Sequence, residues 1–334
     1  MALPPENFNR SPRLDSRDAG AIDTYVTGAI NPPWSSASWE SALAAGAPGS
    51  RAPRELKDAL ETFRVQIQLA EGTRARLFRP VRGPRRISLP ERAHGDTSVR
   101  ILLTRDGRTG YPRRLNQVGL DDLVFCHPMR DFARRNGQTN KPVAFSSRTV
   151  GDLIACESQH ERRFAILADW NVDVVHIASQ PFTIDFPPGH ELDSHTPDFV
   201  LISADGVVVI VDVKWPSDAM KTEVLERHAT VKRVLAQAGM QHAVWADSPR
   251  VFTENLANFA AARVPDDLMR DLALKLIGSY RPGITVAAIL NAVAEVHRVP
   301  TSTSLVVLRR LLWDHQFAID MSTPFSREAQ LWRT

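Results

Sequence analysis

The stretch from 207 to 214, VVVIVDVK, constrains this chain more than any other. Its β-branched residues favour a strand, and a run this apolar fits a strand buried on both faces. Within it, Asp212 and Lys214 are two positions apart. The period of two therefore puts them on one face, with Val213 opposite. An unpaired carboxylate in such surroundings is costly, so Asp212 needs a cation or donors close by.

A second apolar segment, TPDFVLI (196–202), precedes it across Asp205-Gly206, a tight-turn dipeptide. The two segments read as a hairpin. Asp198, fourteen residues before Asp212, then comes to the same end of the hairpin. Two carboxylates and the Val213 carbonyl are hard oxygen donors of the kind Mg²⁺ prefers. Lys214 can orient an attacking water and balance charge in a phosphoryl transition state. The plain alternative is a buried Asp–Lys ion pair with Asp198 in an unrelated loop, because Asp-x-Lys by itself is common. The hairpin and the acidic helix upstream give the catalytic reading its weight.

That helix is predicted over 157–169 (ESQHERRFAILAD). Phe164 and Ala168 lie three and seven positions after Glu161, which sets Glu161 at the edge of the core-facing stripe. Glu157, one turn earlier, is the competing fourth ligand. A solvated helix carboxylate is the ordinary fate of either.

Around these segments, VVHIA (174–178) and FTIDF (182–186) read as strands separated by Gln180-Pro181. A helix over 219–238 and a strand at HAVWA (242–246) follow, and together they describe one mixed α/β core. SVRILLT (98–104) reads as a strand entering a turn at Asp106-Gly107. After 252 the chain becomes helical, with segments at 253–263, 266–280, 285–297 and 301–316 and a short strand, FAIDM (317–321). Helices closed by a small β-wing point to a winged-helix-like domain, with an ordinary helical bundle as the alternative that the pattern alone leaves open. Residues 53–70 carry apolar positions at helical spacing, whereas 1–50 and the proline-broken 74–92 read as irregular. The expected organisation is an N-terminal extension (1–95), an α/β domain (96–250) and a helical domain (251–334).

The net charge of +3 conceals an uneven distribution. Residues 72–148 carry seventeen Lys/Arg against six Asp/Glu, and 149–334 carry seventeen against twenty-three. A basic block suits phosphate contacts, and Arg82, Arg85 and Arg86 are its candidates, with Arg92 beside them. Gln180, Arg309 and Arg310 are further candidates for DNA contact. A solvated linker and a solvated helix face are the bland alternatives for these arginines. His190 and His195 flank the approach to Asp198 and are candidates to reach phosphate or metal, although loop histidines are usually solvated. No apolar run approaches the roughly 20 residues of a membrane helix, and the N-terminus lacks a secretory pattern. With only Cys126 and Cys156, and no CxxC, P-loop or dinucleotide fingerprint, a reducing cytoplasm is expected.

The order of these motifs resembles the TnsA-type endonuclease subunits of heteromeric transposases, within the restriction-endonuclease-like class. The resemblance is carried by Ser158-Gln159-His160-Glu161, then Val172-Asp173-Val174-Val175, then Gln180-Pro181-Phe182. It continues through Thr196-Pro197-Asp198-Phe199 to Asp212-Val213-Lys214. It is firm over about 128–215 and looser beyond, where the family also has a helical, winged-helix-like domain. Residues 1–95 lie outside it. It implies a restriction-endonuclease-like mixed-sheet core, metal ligands Glu161, Asp198 and Asp212, and Lys214 as the catalytic lysine. It also implies Mg²⁺, with Mn²⁺ able to substitute, and cleavage of the 5′ ends of a mobile element. The implied partners are DNA, an integrase-type transposase and an ATPase regulator. The sequence departs in two places. His160 stands where leucine is usual, and Asp212 is shorter than the frequent glutamine or glutamate. Two other functions stay open, a stand-alone restriction, repair or defence nuclease and a catalytically silent DNA-binding or assembly module.

Overall fold

The computed structural model describes residues 87–130, 132, 142–204 and 206–334. Arg82, Arg85, Arg86, the helix expected over 53–70 and the irregular segment 1–50 lie outside the described residues, as does Asp205 of the expected turn.

The chain divides into two compact units, with the boundary between Asp247 and Ser248. In the first, strands β1 (Arg100–Thr104) and β2 (Gly110–Arg114) form a hairpin followed by a short helix, α1 (Leu120–Val124). A second hairpin, β3 (Val143–Ser146) with β4 (Leu153–Cys156), leads into helix α2 (Gln159–Trp170). Strands β5 (Val174–Ser179), β6 (Thr183–Asp185), β7 (Ser194–His195), β8 (Phe199–Ser203) and β9 (Val208–Val213) follow. A short helix α3 (Pro216–Ala219), the longer α4 (Thr222–Gln237) and β10 (Gln241–Trp245) complete the unit.

The strands form two four-stranded sheets rather than one. The first has the order β10-β9-β8-β5, with β9 and β10 parallel and the other pairs antiparallel. The second has the order β2-β1-β6-β7 and is antiparallel throughout. FTIDF therefore pairs outside the β8–β9 sheet, with RILLT, Ile184 opposite Ile101, while its side chains stay in the shared core. The chain changes sheet at Gln180, whose φ of 46° is in the left-handed region that a glutamine rarely occupies.

The β8–β9 hairpin forms as its alternation requires, with Phe199 opposite Val211 and Ile202 opposite Val208. Gly206 turns it with φ 80°, a conformation open to glycine without steric cost. Both faces of the hairpin are covered. On one, Phe164 of α2 meets Phe199 and Trp245, with ring centroids 5.2 and 5.5 Å away. On the other, Val200, Ile202 and Ile210 share a core with Val231, Val234 and Leu235 of α4. Ile101, Leu103 and Ile184 of the second sheet belong to that same core. Truncating Phe164 to alanine would cost about 3–5 kcal/mol by the usual scale for buried aromatics.

Helix α2 starts at Ser158, whose hydroxyl accepts from the Glu161 N–H at 3.1 Å, a cap typically worth about 1 kcal/mol. Near its other end, the Asp169 carboxylate accepts the backbone N–H groups of Arg148 and Thr149 at 3.0 and 2.9 Å and the hydroxyl of Ser147. This fastens the loop between β3 and β4 to the helix.

The second unit holds helices α5 (Arg250–Ala260), α6 (Asp266–Ser279), α7 (Val286–His297) and α8 (Thr301–Trp313). Helix α7 ends on Arg298 in the left-handed conformation, and Pro300 caps the start of α8. The β-structure expected over 317–321 is shorter. Only β11 (Phe317–Ala318) forms, paired with β12 (Trp332–Arg333). The intervening segment is anchored by Asn255, which donates to the Thr323 carbonyl at 2.8 Å and accepts from the Phe325 N–H at 2.9 Å. Among the described residues no helix is long and apolar enough to cross a membrane.

Candidate active site

Continuing the β8–β9 register one step past Phe199–Val211 sets Asp198 opposite Asp212. The hairpin ends there in a cluster of charge. The Val213 N–H donates to Asp198 Oδ2 at 2.7 Å, so the aspartate on one arm is fixed by the backbone of the other. Lys214 Nζ lies 3.5 Å from Asp198 Oδ2, 3.8 Å from Asp212 Oδ1 and 3.2 Å from the Val213 carbonyl oxygen, to which it donates. The Val213 carbonyl thus faces the lysine.

Glu161 joins this cluster from the first turn of α2. Its Oε2 accepts the Glu157 N–H at 2.7 Å and its Oε1 accepts the Ser158 hydroxyl at 3.1 Å. Together with the Ser158 cap, these bonds have the reciprocal logic of a capping box. The Ser-x-x-Glu motif therefore has a structural task whatever else it does. Glu157, by contrast, is partly exposed and pairs with Arg130 at 3.3 Å. Of the two glutamates, it is Glu161 whose carboxyl is buried beside Asp198.

Three buried carboxyls now share one lysine. Burial and the neighbouring Asp198 push Glu161 up to about 8. Asp198 is raised too, by burial and by Asp212, against the opposing pull of Lys214 and the Val213 N–H. Burial works against the Lys214 charge, yet Asp198 and Asp212 outweigh it and hold the ammonium above its ordinary value. A site that keeps one of its acids protonated at neutral pH lacks positive charge. Asp212 Oδ1 is also buried with no hydrogen-bond partner among the described residues. The donor set is all oxygen, the chemistry that Mg²⁺ or Mn²⁺ takes, but among the described residues Glu161, Asp198 and Asp212 do not bring their ligand atoms within 4.8 Å of one another.

Asp212 shows a feature that the hairpin reading does not contain. Its Oδ2 is surrounded by imidazoles, with His195 Nε2 at 3.0 Å, His242 Nε2 at 2.8 Å and His228 Nδ1 at 3.4 Å. Burial would raise this carboxyl, but His195 and the hydrogen bonds from all three rings hold it well below the usual range. His195, far from being a solvated loop histidine, is buried on β7. His228 and His242 were not singled out from sequence. One sits on an amphipathic helix and the other opens a strand, where a histidine carries no distinctive spacing. His190 points elsewhere, stacking on Phe186 at 4.4 Å and accepting the Leu192 N–H at 3.0 Å.

His160, in the place where leucine is usual in the family resembled, stacks on Trp215 with centroids 4.1 Å apart. Its Nε2 lies 3.0 Å from the Lys214 carbonyl oxygen, so it braces the lysine's backbone. Gln180 is 1% exposed, and neither atom of its side-chain amide has a hydrogen-bond partner among the described residues. Its backbone N–H donates to the Asp198 carbonyl at 2.8 Å, which places it next to the site.

The other basic candidates are engaged internally where they are described. Arg92 donates to Asp185 Oδ2 at 2.8 Å and to the carbonyls of Ser98 and Phe186 at 2.6 and 3.1 Å. Arg92 thereby ties the segment before β1 to the end of β6. Arg310 pairs with Asp314 at 2.6 Å, one turn on, and Arg309 lies over the Phe325 ring at 5.7 Å. No protein-family model matches the chain, and a search of curated proteins finds no match.

Proposed function

We propose that residues 87–247 form the catalytic core of a Mg²⁺-dependent DNA endonuclease of restriction-endonuclease-like architecture. The observation that carries this reading is the meeting of Glu161, Asp198, Asp212 and Lys214 at the open end of the β8–β9 hairpin, with too little positive charge for three buried carboxyls. A bound Mg²⁺ would supply Lewis-acid stabilisation of the phosphoryl charge and lower the pKa of an attacking water. The chain's own residues do the rest. Asp198 and Asp212 present the anionic oxygens, and the Val213 N–H keeps Asp198 from swinging away. Glu161 adds a third carboxyl once it loses its proton. Lys214, held cationic by the two aspartates, can orient water and stabilise developing charge on phosphate.

The order of motifs supports a narrower role. This is the 5′-end cleavage subunit of a TnsA-type transposition system, acting with an integrase-type transposase and an ATPase regulator. In this reading the helices of 248–334 form a winged-helix-like module that binds partner or DNA, and β11–β12 is its shortened wing. Gln180, buried and joined to the Asp198 carbonyl through its backbone N–H, acts on the scissile strand only by positioning Asp198.

The test is cleavage of plasmid DNA by the full chain, alone and with the partner transposase, in Mg²⁺ and in EDTA. Metal-dependent nicking or linearisation that disappears in Asp198→Asn supports the proposal. Cutting by that variant at the wild-type rate overturns it.

A further inference from the structure

The imidazoles around Asp212 have more capacity than one carboxylate oxygen uses. His195 comes from β7 in the second sheet, His228 from α4 and His242 from β10. All three are buried, at 7%, 4% and 7% exposure. His228 Nε2 has no hydrogen-bond partner among the described residues, and its Nδ1 lies 3.4 Å from Asp212 Oδ2. The ligating atoms of His195, Asp212 and His228 lie within 4.8 Å of one another. His228 and His242 stack at 5.4 Å, and His195 meets His228 edge-on at 5.7 Å.

These distances can be compared with those of a tetrahedral site. Metal–ligand bonds of about 2.0–2.1 Å put neighbouring tetrahedral ligands about 3.3 Å apart. The three imidazole nitrogens lie 2.8, 3.0 and 3.4 Å from Asp212 Oδ2. The ligand atoms of His195, Asp212 and His228 lie within 4.8 Å of one another, so an ion would draw these three inward, while His242 stays outside that group. Two imidazoles and a carboxylate form the nitrogen-rich, borderline donor set that Zn²⁺ and its neighbours favour and Mg²⁺ does not.

We propose that His195, His228 and Asp212 Oδ2 form a three-ligand site for a divalent transition-metal ion of the Zn²⁺ class, with His242 holding Asp212 from beside it. The site is separate from the oxygen face on the other side of the same carboxylate. Asp212 offers Oδ2 to the imidazole-bound ion and Oδ1 to the face shared with Lys214. Held by three buried protein ligands, the ion serves structure. It joins the second sheet to β9 and α4 and fixes the orientation of Asp212.

The experiment uses the full chain, stripped with EDTA, dialysed and titrated with Co²⁺. We expect one ion per chain with the visible absorption band of tetrahedral cobalt. Zn²⁺ should displace it and Mg²⁺ should not. Asp198→Ala should retain the band, because that residue belongs only to the oxygen site. His195→Gln and His228→Gln should lose it. Folding of each variant is checked by circular dichroism in EDTA. For the unaltered protein, Zn²⁺ should raise the melting temperature of the stripped chain where Mg²⁺ at the same concentration does not. Absence of both the band and the Zn²⁺-specific shift in the unaltered protein overturns the proposal. So does a band that vanishes in Asp198→Ala and persists in the histidine variants. Because Asp198→Ala separates the two sites, the endonuclease reading and this one can fail independently.

Discussion

Lys214 holds its ammonium 3.5 Å from the Asp198 carboxylate, sixteen residues earlier on the opposite arm of the hairpin. The contact depends on register. A one-residue slip of β8 against β9 would turn every alternate side chain to the other face and separate the pair. The apolar core beneath the hairpin, buried on both faces, is what forbids the slip.

Asp198→Asn and Asp212→Asn should each reduce Mg²⁺-dependent cleavage by more than roughly a hundredfold, since each removes an anionic oxygen where every ~1.4 kcal/mol is tenfold in rate. Their stabilities should differ. Asp212→Asn removes the charge that three imidazoles surround, so its melting temperature should fall further than that of Asp198→Asn. Equal melting temperatures would contradict the described surroundings of Asp212.

Lys214→Ala should be inactive yet still bind Mg²⁺ by calorimetry, at least as tightly as the unaltered protein, because a competing cation has been removed. Loss of Mg²⁺ binding in this variant would mean that the lysine organises the carboxylates rather than acting on water and phosphate.

Glu161 gives a pH signature. Its folded-state value of about 8 exceeds the ordinary 4.5, so the folded form binds the proton more tightly than the unfolded chain. The associated stability is fully present below about pH 4.5 and is lost as pH rises towards 8. Glu161→Gln keeps an oxygen acceptor for the cap but cannot ionise. In EDTA, its melting temperature should therefore exceed that of the unaltered protein by a margin that widens from pH 5 to pH 8. Cleavage should nonetheless be lost, while Glu157→Ala stays active. A constant margin across that range would remove Glu161 from the buried, proton-holding position.

DNA affinity should fall with salt, with a slope of about −0.9 for each phosphate neutralised. Replacing Arg82, Arg85 and Arg86 together should reduce that slope by up to about three if all contact DNA. Arg92→Ala should instead act on stability through Asp185. An unchanged slope in the triple variant would assign that arginine-rich stretch another role.

Much of the hairpin was legible because its signals were local. A double-faced apolar run, a Gly turn and two acids at one end leave little freedom in how they pair. Helix α2 was legible for the same reason, from the spacing of Phe164 and Ala168, although its Ser158 cap was not read. The second sheet was not, because the pairing of Ile101 with Ile184 joins segments whose alternation says nothing about which partner each chooses. The histidines were hidden in the same way. Nothing local to His228 or His242 indicates that both face one carboxylate oxygen, and His195 looked like a loop residue because β7 is only two residues long.

The cross-sheet origin of the Asp212 surroundings also bears on the order of folding. The β8–β9 hairpin closes a short loop and can form early, whereas Arg100 must find Asp185 across eighty-five residues before the second sheet is complete. Contacts between distant segments form late because the entropy of closing a long loop is lost before the contact returns anything. Until β6 and β7 dock, Asp212 stands in its hairpin without His195. Until the α4 crossover lays β10 beside β9, it also lacks His228 and His242. Asp212 is thus among the first groups placed and the last to be neutralised, so a chain arrested midway would hold its hairpin with an uncompensated charge at its centre.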